Sequence, residues 1–319
     1  MSKWNGFLFA GCSIPPANNY IIEKKCNRLY SQFNERKAIE NFWADERTKD
    51  VTFVIDSGAF SAANSGKVIN FEEYINWINQ NTHHPNSYFV ELDVTPLNDM
   101  SFTTLQKTAQ QSWDNYLYMV ERVNKPEIIV PVYHAFEDIS NLDRMLNTPV
   151  LGPNKYPPYI FIGGIAGYNS TTLYNKFDII FDHIKNSKNP DVNIHALGIA
   201  KYDLLESYPF YTSDATSWLK YASYGYMKTP YGDFYCGREN NSGKVANIKF
   251  LPAPIKKNLN TYLLNSVGIS VEEIEAASEP DIPLNVKYGM ILKINIYYYK
   301  KMSDEYVYKP RKNLTKRLF

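Results

Sequence analysis

Short apolar runs rich in β-forming residues recur along this chain. Almost every one is closed by a polar residue or a glycine, and helical patterns lie between them. The runs are Phe7–Ala10, Thr52–Ile55, Tyr88–Leu92, Ile128–Val132, Tyr159–Ile162, Asn193–Leu197 and Phe210–Thr212. The intervening spacing predicts helices over Tyr20–Phe42, Phe71–Gln80, Thr103–Val123, Thr171–Lys185 and Tyr202–Tyr208. Strand–helix–strand alternation implies parallel strands joined by crossovers. Seven or eight such units favour a closed barrel, with an open doubly wound sheet as the alternative. The expected fold is α/β: a (β/α)8 TIM-type barrel over residues 1–230, its eighth strand near Ala222–Tyr226.

After Tyr231 the rhythm breaks. A Gly/Asn-rich loop (Gly237–Gly243), a proline-rich entry (Leu251–Pro254), a short helical pattern at Glu272–Ala277 and a β-rich run at Tyr288–Tyr299 follow. Residues 231–319 are therefore expected to form a C-terminal α+β extension. It ends in a basic arm: Lys287, Lys293, Lys300, Lys301, Lys309, Arg311, Lys312, Lys316 and Arg317 face only Asp304 and Glu305. The whole chain carries a net charge of only +1, so the remainder is net acidic and the arm is the polyanion-favouring patch. A solvated tail is the bland alternative. Cys12, Cys26 and Cys236 are too few and too scattered for a disulfide framework. No charged-then-apolar leader opens the sequence, and no stretch approaches the ~20 apolar residues of a membrane span. An intracellular, cytoplasmic location is expected, which is the host cytoplasm if the chain is phage-encoded.

In a barrel the functional groups stand where strands end and βα loops begin. Those points are Asp56, Asp93, His134, Gly163–Gly164, Gly198 and Asp214. Each has a structural reading beside the functional one. Asp56 and Asp214 could cap the next helix, Asp93 and His134 could satisfy local hydrogen bonds, and the glycine pair could be a tight turn. Three carboxylates, a histidine and a glycine pair on one face exceed what capping needs. Together they describe a pocket for a polar ligand.

The motifs in order resemble the tRNA-guanine transglycosylase superfamily. Asp56-Ser57-Gly58-Ala59-Phe60 is similar to its Asp-Ser-Gly-Gly-Phe. Gly163-Gly164-Ile165-Ala166-Gly167 is similar to its Gly-Gly-Leu-Ala-Val-Gly. His195-Ala196-Leu197-Gly198-Ile199 is similar to its Leu-Met-Gly-Val segment, and Asp214 follows where the family keeps its nucleophilic aspartate. The resemblance covers about Phe7 to Trp218. Departures are Ala59 for the second glycine and His134 or a neighbour for an expected glutamine. Cys236 also stands alone where the tRNA enzymes have a zinc-binding cysteine cluster. The zinc-free, shortened form is most similar to phage-type DNA 7-deazaguanine transglycosylases.

The resemblance implies that guanine in DNA is exchanged for a free 7-deazaguanine base, 7-cyano-7-deazaguanine or a relative, with no cofactor and no metal. It implies Asp214 as nucleophile toward the sugar and Asp56 as general acid/base. Base binding would fall to Asp93, Gly163, Gly164, Phe60, Leu197, Ser57 and His134. Two nearby carboxylates repel, which raises one pKa and leaves the other ionised, as one attacker and one proton carrier require. Lys309, Arg311, Lys312, Lys316 and Arg317 are the expected nucleic-acid contacts, with a flipped-out or single-stranded target. An accessory protein or a homodimer could complete the assembly. The alternatives are a tRNA-guanine transglycosylase acting on tRNA, a non-catalytic partner subunit of such an enzyme, and an unrelated barrel enzyme holding a phosphate at Gly163–Gly164.

Overall fold

The computed structural model describes residues 4–96, 99–165, 167–237, 245–279 and 281–311. By its contacts the chain separates into two compact units. One comprises the described residues through Ala10, Asn27–Ala215 and those from Tyr306 onward; the other comprises Gly11–Cys26 and Thr216–Glu305.

The first unit is built on nine strands: β1 (Gly6–Ala10), β2 (Asn27–Ser31), β3 (Phe53–Asp56), β4 (Ser87–Val90), β5 (Ile129–Val130), β6 (Val132–His134), β7 (Tyr159–Gly163), β8 (Asn193–Ala196) and β9 (Thr212–Ala215). Their spatial order is β5-β4-β3-β2-β1-β9-β8-β7-β6. All neighbours pair in parallel. The two ends of that order, β5 and β6, are separated in the chain only by Pro131. Proline has no N–H to give to a ladder, so the strand is interrupted there. Its carbonyl still accepts the Phe161 N–H at 3.0 Å, and the Val130 carbonyl accepts the Glu91 N–H at 3.0 Å. The Val132 N–H goes instead to the Glu91 side chain, Oε1, at 2.7 Å. The result is a nearly closed parallel barrel-like sheet, consistent with a TIM-type barrel.

Side chains alternate along a strand, so every second residue points into the barrel. Leu8, Ala10, Leu29, Val54, Val90, Val130, Val132, Tyr159 and Phe161 form one buried cluster. Counting two residues on from its members gives Asp56 after Val54, His134 after Val132 and Gly163 after Phe161. Asp214 likewise follows the buried Thr212 by two, and Leu197 follows the buried His195. The strand-end residues named above thus stand on a packed floor of aliphatic and aromatic side chains.

Several elements differ from expectation. The helix expected over Tyr20–Phe42 is two helices, Pro15–Glu23 and Gln32–Trp43, with β2 between them. The apolar part of that strand is only Leu29-Tyr30, too short to stand out against flanking helical periodicity. The strand expected at Phe210–Thr212 lies at Thr212–Ala215, so Asp214 sits within β9 rather than after it. The expected eighth strand near Ala222–Tyr226 is not in this sheet. Ser217–Ser223 is a helix, and β10 (Tyr226–Thr229) pairs antiparallel with β11 (Gly232–Tyr235) in a three-stranded sheet completed by β12 (Ala246–Asn247).

The second unit combines that small sheet with helices, among them Ala253–Val267, Val271–Ala276 and Leu284–Asp304. The run Tyr288–Tyr299, expected as β, lies inside the last of these. Its residues have β-forming side chains, but Ile291, Leu292, Asn295, Ile296, Tyr299 and Met302 are buried at helical spacing. Most of the Gly237–Gly243 loop lies outside the described residues. Among the described residues, no helix is long and apolar enough to cross a membrane.

Candidate active site

Asp56 ends β3, where Ser31 of β2 is its register partner. Its Oδ2 accepts the Gly58 N–H at 3.1 Å. Gly58 has φ +77°, and a Cβ there would lie 2.4 Å from the Phe33 Cβ and 2.6 Å from the Ser31 Oγ. Only glycine can make this turn so close to β2. The Ser57 carbonyl is fixed by the buried Gln32 amide at 2.8 Å. Burial pushes the Asp56 carboxyl up to about 7, with the neighbouring Asp93 and Asp214 charges adding to the effect and the Gly58 N–H opposing it.

Asp93 follows β4. The backbone on either side of it is pinned from the helix Phe102–Arg122: the Asn115 amide donates to the Leu92 carbonyl at 2.7 Å, and the Val94 N–H donates to Ser112 Oγ at 2.8 Å. The Ser57 hydroxyl donates to Asp93 Oδ1 at 3.4 Å. His134 Nε2 lies 3.2 Å from Asp93 Oδ2, and its Nδ1 lies 2.8 Å from Glu137 Oε1. Burial opposes a charge on His134, but hydrogen bonds to Asp93 and Glu137 outweigh it and hold the imidazolium to about pH 10. Both ring nitrogens are thereby engaged. His134, expected among the base-binding residues, fixes Asp93 by a charge-assisted bond. Beneath it the buried Glu91 is driven by desolvation well above the carboxylate range, and its Oε2 has no partner among the described residues.

Asp214 is buried in β9. Its Oδ1 accepts the Gly198 N–H at 2.8 Å and faces His195 Nε2 at 3.1 Å. It caps no helix, since the next one starts at Ser217 with Thr216 at its cap position. His195 is fully buried and stacks on Phe161 with ring centroids 4.1 Å apart. His195 was legible only as part of a motif; its contact with Asp214 depends on β8 and β9 being neighbours.

Gly163 and Gly164 sit beside these groups. A Cβ on Gly163 would lie 3.1 Å from the His134 ring and 3.3 Å from Leu197 Cδ1. Gly164 has φ +65°, and a Cβ there would lie 2.4 Å from the Phe136 ring, which stacks on His134. Leu197 packs partly buried against the core cluster, whereas Phe60 is 63% exposed and belongs to no core.

The basic arm divides. Lys309 Nζ pairs with Glu206 at 2.8 Å, and Arg311 lies 3.7 Å from Asp178 and 4.1 Å from the Tyr174 ring centroid. Both cations expected at a nucleic acid are thus held by carboxylates of their own unit. Lys312, Lys316 and Arg317 lie outside the described residues.

No protein-family model matches the chain, and no curated protein matches it.

Proposed function

We propose that this chain is a guanine transglycosylase that exchanges guanine in DNA for a free 7-deazaguanine base through a covalent Asp214–sugar intermediate. The observation that carries this reading is the contrast between two carboxylates at one barrel mouth. Asp214 is held at Oδ1 by the His195 ring and the Gly198 N–H, with Oδ2 left over, and suits a nucleophile. Asp56 is pushed up to about 7, partly by the Asp93 and Asp214 charges, and suits a group that gives and takes a proton near neutrality. We read the sheet as an eight-stranded (β/α) barrel in which β5 and β6 are one strand interrupted at Pro131, carrying a C-terminal α+β extension.

In the first half-reaction Asp214 attacks C1′ of the sugar, the C1′–N9 bond breaks, and Asp56 protonates the leaving guanine. In the second, the incoming base attacks C1′, its proton passes to Asp56, and the Asp214 carboxylate departs. Asp93, held by His134, accepts from the N1–H and exocyclic amine of the base. The glycine pair leaves room for the base, and Phe60 and Leu197 cover its faces. Lys312, Lys316 and Arg317 supply phosphate contacts. Both substrates are met in the cytoplasm.

The test is to incubate the protein with 7-cyano-7-deazaguanine and DNA or tRNA, digest to nucleosides and search for the modified nucleoside by mass spectrometry. Modified deoxynucleoside from DNA is the expected result. Modification of tRNA alone would overturn the substrate and keep the chemistry, and no product from either would overturn the reading.

A further inference from the structure

Behind Asp214 lies a line of buried polar side chains on three adjacent strands. Asp214 and Thr212 are on β9, His195 on β8 and Tyr159 on β7. His195 Nε2 faces Asp214 Oδ1 at 3.1 Å, and its Nδ1 faces the Thr212 hydroxyl at 2.6 Å. The Thr212 hydroxyl in turn meets the Tyr159 hydroxyl. Tyr159, His195 and Thr212 are each almost wholly excluded from solvent. An apolar barrel interior gains nothing from such a line unless its members satisfy one another.

The direction of the line follows from donor counting. A carboxylate that is to attack the sugar only accepts, so with Asp214 as nucleophile His195 carries a proton on Nε2. Nδ1 can then accept from Thr212, and the Thr212 oxygen can accept from Tyr159. Burial drives the Tyr159 phenol well above its ordinary range, so it remains a donor. Every hydroxyl hydrogen has an acceptor, and all of them point toward Asp214.

We infer that His195 is a positioning residue for the Asp214 carboxylate, ordered through Thr212 and Tyr159, and that it leaves Oδ2 as the attacking oxygen. This rests on the reading of Asp214 as the nucleophile. Oδ1 is occupied by two N–H donors, from His195 and Gly198, whereas no protein group donates to Oδ2 among the described residues. When Oδ2 bonds to C1′ and the C1′–N9 pair leaves with guanine, Oδ1 becomes the ester carbonyl and keeps both donors. The same donors receive the returning charge when the incoming base displaces Asp214. Freezing the carboxylate rotation places the attacking oxygen before the sugar arrives.

The test compares His195→Phe, His195→Gln and Thr212→Val in the full chain. The readout is the rate at which a denaturation-resistant protein–DNA adduct forms under single turnover with excess DNA. His195→Phe keeps a flat ring and removes the donor. It should slow adduct formation on the order of 10²-fold while leaving the KM for the free base near wild type. His195→Gln restores an N–H toward Asp214 and should recover most of that loss. Thr212→Val should cost several-fold. A wild-type rate in His195→Phe, or no recovery in His195→Gln, would overturn the inference.

Nitrogen NMR of histidine-labelled protein gives a second readout that needs no activity. His195 should carry its proton on Nε2 with a bare Nδ1, and the opposite tautomer would overturn the line however the enzyme behaves. A wild-type chain that forms no adduct with any nucleic acid would instead sink the transglycosylase reading, leaving the tautomer to decide the hydrogen-bond line.

Discussion

Asp56 and Asp214 are the same side chain in two surroundings, and the proposed reaction gives them different work. Asp214 should be indispensable to the covalent step, so Asp214→Ala should yield no denaturation-resistant adduct on a gel. An adduct that persists would place the nucleophile elsewhere. Asp56 gives a pH signature. In the proposed reaction it must be protonated to expel guanine, so adduct formation should fall as pH rises through about 7. It must be ionised to receive the proton of the incoming base, so the second half-reaction should rise over the same range. Opposite slopes in pre-steady-state measurements, both flattened in Asp56→Asn, are the expected outcome; parallel slopes would exclude one shared proton carrier.

His134 has the converse linkage. Its folded pKa of about 10 lies above its ordinary 6.5, so its stabilising contribution is complete below 6.5 and is lost as pH rises through 10. The denaturation midpoint should therefore decline across that interval. His134→Gln should remove the decline and cost about 3 kcal/mol at neutral pH, because Asp93 and Glu137 lose their shared partner.

At the scale of elements, the turns and the interruptions matter most. Gly58 holds the Asp56 turn against β2, with backbone at φ +77° and no space for a Cβ. Gly58→Ala should destabilise the protein by about 1–3 kcal/mol in urea titration, and the strain falls on the turn that carries Asp56. In the second unit the buried Asn295 accepts the Lys228 N–H at 2.8 Å and donates to the Trp218 and Tyr226 carbonyls at 3.1 and 3.2 Å. It ties β10 and the helix Ser217–Ser223 to the helix Leu284–Asp304. Asn295→Leu would remove all three of these bonds and should cost about 2 kcal/mol or more. An unchanged midpoint would mean that water replaces the amide.

At the scale of the whole molecule, the basic arm is not one electrostatic feature. Lys309 and Arg311 are compensated by Glu206 and Asp178, so their charges release little counterion on binding a polyanion. Neutralising these two should leave the salt dependence of DNA binding nearly unchanged. Neutralising Lys312, Lys316 and Arg317 should reduce the log–log slope on duplex DNA by about 0.9 for each phosphate that then keeps its counterion. Equal effects from both sets would show that the carboxylates release Lys309 and Arg311 on binding.

Much of the barrel was legible in the sequence because its strands are buried and apolar, and because a polar residue or glycine closes almost every one of them. That pattern located β3, β4, β7 and β8, and it singled out Asp56, Asp93, His134 and the glycine pair. It failed at β2, whose short core sits between two helices, and at Tyr288–Tyr299, where side-chain type argued for a strand and spacing argued for a helix. The surroundings of the site lay beyond it for a different reason. That His134 is spent on Asp93 and Glu137, that His195 backs Asp214 and that Glu206 takes Lys309 are contacts between residues up to 103 positions apart. Periodicity along one strand determines which side chains point inward. Only the pairing of strands decides which of them meet, and so which carboxylate is driven toward its neutral form.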